Sequence, residues 1–155
     1  MLWTGALLEV VGFALLFWAV FKGAEAAWAA TGAARPALLA SSTTAGLHGL
    51  VMTFWAGALL WGWDGAAWDE PNTRQQSLAL ALSTAYFVAD SLVYLAPYAP
   101  KDHALFQLHH VVTVAYLAGS LQLGRCAKPV LLGLFIGGLA AAAAGGAAHR
   151  AGGGL

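Results

Sequence analysis

The chain has 155 residues, of which 60% are hydrophobic and 9% charged, against about 25% charged in an ordinary soluble domain. Seven basic and seven acidic residues cancel to a formal net charge of zero, which leaves no electrostatic footprint for nucleic acid and no polybasic patch. The single cysteine, Cys126, excludes an intrachain disulfide and a cysteine-based zinc or iron–sulfur site.

Polar residues and prolines divide the chain into apolar blocks near the roughly 20 residues that a bilayer span needs. They run Leu2–Phe21, Ala37–Trp63, Ser77–Ala96, Ala104–Leu123 and Pro129–Gly146. All five prolines (Pro36, Pro71, Pro97, Pro100 and Pro129) fall between blocks or at their starts, where a helix tolerates them. No strand-like alternation of polarity appears, so a barrel is excluded. The expected fold is all-α, a single multi-pass transmembrane bundle of about five hydrophobic helices over residues 1–155.

The first block is read as a retained span. Ala24-Glu25-Ala26 offers a signal-peptidase pattern, but no Lys or Arg precedes the apolar core and Glu9 interrupts it. The second block is long enough to tilt or kink, with Trp61, Trp63 and Trp68 as an aromatic belt at its end. The fourth follows the third after a short loop and is its antiparallel neighbour. The fifth passes into an alanine- and glycine-rich stretch over 137–155 with little side-chain volume. Basic residues are spread too evenly over the loops for the positive-inside rule to set an orientation.

Ionisable groups within hydrocarbon are costly and face a bundle interior. At about 100° of rotation per residue, Ser41, Thr44 and His48 share one face of the second helix. Ser83, Tyr86, Asp90 and Tyr94 share one face of the third, and His109, Thr113, Tyr116 and Ser120 one face of the fourth. His110 lies about 100° round from His109, in line with His103. Counted from the loop that joins the third and fourth helices, Asp90 and His109 lie on the order of 10 Å deep. A contact of Asp90 with His109 or His110 is therefore expected, with Ser41–Trp55 against the third and fourth helices. Glu9 and His48 both lie roughly 18 Å deep by the same count, so a pair between them is a weaker possibility. Glu9 is also near enough to the N-terminus to reach the interface.

Three segments carry a family resemblance. Ser42-Thr43-Thr44-Ala45-Gly46-Leu47-His48-Gly49 resembles the Ser-containing, His-ended segment near the start of TLC domains. Ala85-Tyr86-Phe87-Val88-Ala89-Asp90 resembles their Tyr-Phe-x-x-Asp helix. Asp102-His103-Ala104-Leu105-Phe106-Gln107-Leu108-His109-His110-Val111-Val112-Thr113 resembles their double-histidine motif with a threonine three residues on. Order and spacing agree over Ser41–Ile136.

The resemblance implies a multi-pass protein of the endoplasmic reticulum or connected membranes, with membrane lipids or fatty acyl groups as partners. It makes Asp90, His109 and His110 candidate catalytic residues, at positions that ceramide synthases of the family need for acyl transfer from acyl-CoA to a sphingoid amine. A histidine can serve there as general base and a carboxylate can orient it. His48, Tyr86, Thr113, Tyr116 and Ser120 are candidates for binding.

Two departures weigh against acyl transfer. No aspartate follows Asp102, so the His-Asp-x-x-Asp of ceramide synthases is missing. Gly137-Gly138 opens the alanine–glycine stretch where the family continues with a Gly-Glu and Asn-Pro pattern, so the resemblance is to a TLC domain short of its C-terminal third. Five histidines are too few for a membrane di-iron site, and neither a metal nor another cofactor is expected. The leading expectation is a lipid-handling protein without catalysis. The alternatives are an acyl-CoA-dependent N-acyltransferase and a translocon-associated or cargo-binding protein.

Overall fold

The computed structural model describes residues 2–98 and 104–152, with side chains over 5–98 and 104–139. Asp102, His103 and the side chain of His149 lie outside the described residues. Among those described there is no β-strand; a single isolated bridge joins Pro71 to Arg125.

Helix α1 runs Leu2–Ala30, nine residues beyond the apolar block. The extension is alanine-rich, the best helix former, and carries a Lys22–Glu25 ion pair of 2.8 Å one turn apart. Gly32, at φ +79°, breaks it. Helix α2 runs Pro36–Leu59 with proline in its first turn. It stops before the expected Trp63 because Gly62 adopts φ +75°, a conformation that glycine supplies at helix ends.

Helix α3 spans Arg74–Asp90. Its polar first turn is held by a capping box: the Gln76 amide donates to Thr73 Oγ1 at 3.2 Å and the Thr73 amide to Gln76 Oε1 at 2.8 Å. A π-helical turn, Ser91–Leu95, joins α3 to the short α4, Ala96–Tyr98. Helix α5 covers Ala104–Leu123, as the apolar block does, and α6 covers Ala127–Gly152.

Among the described residues four helical stretches are long and apolar enough to cross a membrane: Gly5–Ala30, Pro36–Leu59, Arg74–Tyr98 and Ala104–Leu123. The third is central, with 67% of its apolar window buried against 11% in the first. Small residues make that position possible, since Ala79, Ala81, Ser83 and Ala85 are fully buried and let neighbouring backbones approach. Leu7, Leu8 and Leu15 on α1, Leu50 and Phe54 on α2, and Leu108 and Val111 on α5 face outward, as lipid-facing side chains do.

Helix α3 packs against α1 and α5, and α2 against α1, α6 and, less closely, α3. Helices α2 and α5 barely meet, and α5 touches α6 only lightly. The expected packing of α2 on the fourth span is therefore corrected: it leans on α3 and α6 and faces α5 across a gap. Gly138 lets α2 and α6 come together, since a β-carbon there would meet Thr53 Oγ1 and the Gly49 carbonyl.

The far end of the bundle is closed where the segment between α2 and α3 meets the end of α5 and the start of α6. Asn72 Nδ2 donates to the Ser120 carbonyl at 3.0 Å, Asn72 Oδ1 accepts from the Ala127 amide at 2.9 Å, and Ser120 Oγ donates to the Arg125 carbonyl at 2.6 Å. Lys128 pairs with Glu70 beside them. In hydrocarbon such contacts count, because lipid tails are as apolar as leucine and give helices little hydrophobic reason to associate.

Candidate functional site

The gap between α2 and α5 is a cavity of about 790 Å³ bounded by α2, α3, α5 and α6. Its lining reaches from Leu38 to Met52 on α2 and from Phe106 to Leu117 on α5, which at 1.5 Å per residue is about 21 Å and about 16 Å along the two helix axes. Met52, Leu117, Val130 and Leu134 make one end apolar, and most polar side chains gather toward the other.

At the polar end, the Ser41 hydroxyl donates to Asp90 Oδ1 at 2.9 Å. Asp90 Oδ2 faces His110 Nε2 at 3.8 Å, and both side chains are buried. On the opposite edge of the imidazole, His110 Nδ1 lies 3.0 Å from Ser91 Oγ, and the Ser91 hydroxyl donates to the Phe87 carbonyl at 2.7 Å. The π-helical turn begins at Ser91; such turns occur inside helices where function needs a displaced residue. Here two successive residues, which an α-helix would point about 100° apart, both reach one histidine.

A second polar station lies deeper. His48 Nε2 is 3.1 Å from Ser83 Oγ, and the His48 ring stacks on Tyr86 with centroids 4.0 Å apart and an interplanar angle of 10°. Phe17 closes this station from α1, its edge against both rings. Phe87 stands between the stations, edge-on to His48, His109 and His110 at 5.8, 5.9 and 5.0 Å.

The candidates from sequence are thus placed unevenly. Asp90, His110, His48 and Tyr86 converge on the cavity, and Thr113 and Tyr116 line it from α5. Of the two histidines offered as partners for Asp90, it is His110 that faces the carboxylate. His109 lines the cavity as an exposed side chain against Phe87 and His110. Ser120 is absent from the lining, since its hydroxyl is bound into the Asn72–Arg125 loop contact. Glu9 pairs with Arg74 of α3 and not with His48. Thr44 bonds the carbonyl of Ala40 in its own helix. Ser91 and Phe87 were not singled out from sequence. Ser91 follows Asp90 directly, so helical rotation alone points it away from the site.

Among the described residues no three His, Cys, Asp or Glu side chains gather as metal ligands would. The lining contains no Lys or Arg among the described residues.

Bundled apolar helices bordering an elongated cavity with one polar end define a multi-pass membrane protein. A family model described as the TLC domain matches residues 38–136, a stretch containing every polar side chain of both stations, and the chain belongs to the TLC domain family. Neither a comparison with curated proteins nor one with solved structures gives a match.

Proposed function

We propose that the protein holds a membrane lipid or fatty acyl group in this cavity and acts in the lipid homeostasis of the endoplasmic reticulum or connected membranes. The observation that carries the reading is the shape and polarity of the cavity. Its volume falls in the range of roughly 300–1,000 Å³ typical of small-molecule sites, and it is long, apolar at one end and polar at the other. A chain lies along Met52, Leu117 and Leu134, and a head group meets Ser41, Asp90 and His110. Binding here needs no chemistry.

The Asp90–His110 contact favours a second reading, acyl transfer with a histidine as base. Two features make it the weaker one. Val112 and Tyr116 line the cavity yet are 59% and 61% exposed, so that side is open and would not exclude water from a thioester. The Nε2–Oδ2 separation of 3.8 Å is also beyond hydrogen-bond range, and loose positioning alone costs orders of magnitude in rate. Protein in liposomes, supplied with acyl-CoA and sphinganine, is expected to form no more amide than its Asp90→Ala and His109→Ala variants. Amide formation abolished by either substitution would establish the enzyme and overturn the binding-only reading.

A further inference from the structure

We infer that Ser91 is a positioning residue that fixes the tautomer of His110, so that the polar end of the cavity presents two hydrogen-bond acceptors and selects an amphiphile with a donating head, such as an alcohol, over a carboxylate. The inference rests on the lipid-binding reading of the same cavity.

A serine hydroxyl has one proton to give. Ser91 Oγ lies 2.7 Å from the Phe87 carbonyl, which can only accept, so the proton is placed there. His110 Nδ1, 3.0 Å from the same oxygen, must then be the donor and carry the hydrogen. A neutral imidazole holds a single N–H, which leaves the lone pair on Nε2. That nitrogen faces Asp90 Oδ2 at 3.8 Å, while the other carboxylate oxygen already accepts from Ser41. Two acceptors therefore oppose each other across a gap too wide for a direct bond, in a lining without Lys or Arg among the described residues. A hydroxyl between them satisfies one and lies beside the other, whereas a carboxylate adds a further acceptor and a negative charge next to Asp90. Without the Ser91 oxygen, Nδ1–H loses its partner at 3.0 Å and keeps only the Phe87 carbonyl beside it, so the proton shifts toward Nε2 and the acceptor pair is weakened.

Two readouts test this. In liposomes at alkaline pH, nitrogen-15 NMR of histidine-labelled protein is expected to place the His110 proton on Nδ1 in the wild type and in Ser91→Thr, which keeps the hydroxyl, and to show it moved toward Nε2 in Ser91→Ala. A wild-type proton on Nε2, a doubly protonated ring, or a tautomer unchanged in Ser91→Ala would overturn the positioning role. In competition binding, cetyl alcohol is expected to be preferred over palmitate by about tenfold or more in the wild type and in Ser91→Thr, and the preference to narrow severalfold in Ser91→Ala, where only the Asp90 charge still opposes the carboxylate. The tautomer is read without ligand, so the failures are distinguishable. A tautomer that responds to Ser91 while neither amphiphile binds overturns the selection together with the lipid reading. A tautomer that does not respond, with both amphiphiles bound, overturns the role of Ser91 and leaves the lipid reading standing.

Discussion

Replacing Gly133 with phenylalanine is expected to displace lipid from the protein without weakening its fold. Gly133 lies on the cavity lining of α6, and a β-carbon built there meets no atom within 4 Å. A phenyl ring therefore has free space to enter, and that space is what a lipid chain would occupy. Within the helix itself the change is favourable, since glycine in a helix interior costs up to about 1 kcal/mol relative to better formers. Retention of cetyl alcohol by the purified protein should fall by about tenfold or more, equivalent to roughly 1.4 kcal/mol, with an unchanged or raised melting temperature. Retention equal to wild type in a folded Gly133→Phe protein would mean that the chain lies elsewhere.

Five residues along the same helix the opposite outcome is expected. At Gly138 a β-carbon would collide with the Thr53 hydroxyl and lie 2.9 Å from the Gly49 carbonyl oxygen. Thr53 cannot easily withdraw, because its hydroxyl donates to that same carbonyl at 2.8 Å. Either α2 and α6 separate or the backbone shifts, and insertion of volume into a packed contact costs about 1–3 kcal/mol. Gly138→Leu should sit at the upper end of that range, seen as a clear drop in thermal midpoint in detergent or liposomes. A Gly138→Leu protein as stable as Gly133→Phe would show that the close contact between α2 and α6 is not made.

These two glycines mark the boundary of what the sequence makes legible. Both fall in a stretch that reads only as small and apolar, and nothing in its spacing tells which glycine faces a neighbour and which faces a void. The polar faces are different. Ser41 and His48, and Ser83, Tyr86 and Asp90, share their helix faces by rotation alone, and all five are buried in the bundle. Helix α5 has the bounds of its apolar block because charged and proline-containing loops flank it.

Rotation within one helix says nothing of how far apart two helices stand, so the separation of α2 from α5 is not readable from the chain. Nor is the choice between His109 and His110, which depends on how Leu117 and Phe87 set the rotation of α5 against α3. The π-helical turn is not readable for the same reason: Ser91–Leu95 reads as ordinary apolar helix, and nothing in its spacing marks the widened turn. The start of α3 was within reach of sequence, since Thr73-Asn72-side polar residues followed by Gln76 at the third helical position form a capping signature. Its polar first turn lies outside the apolar block that begins at Ser77.

Photocrosslinking tests the account at its centre. Met52 and Leu117 line the cavity and are each 1% exposed, so bulk lipid has no access to them except through the cavity. In liposomes containing cetyl alcohol with a diazirine near the chain terminus, adducts are expected on Met52 and Leu117, and these should disappear in Gly133→Phe. Adducts confined to outward-facing residues such as Leu8 and Leu15 of α1 or Val111 of α5, in the same pattern with and without Gly133→Phe, would contradict a lipid held inside the bundle.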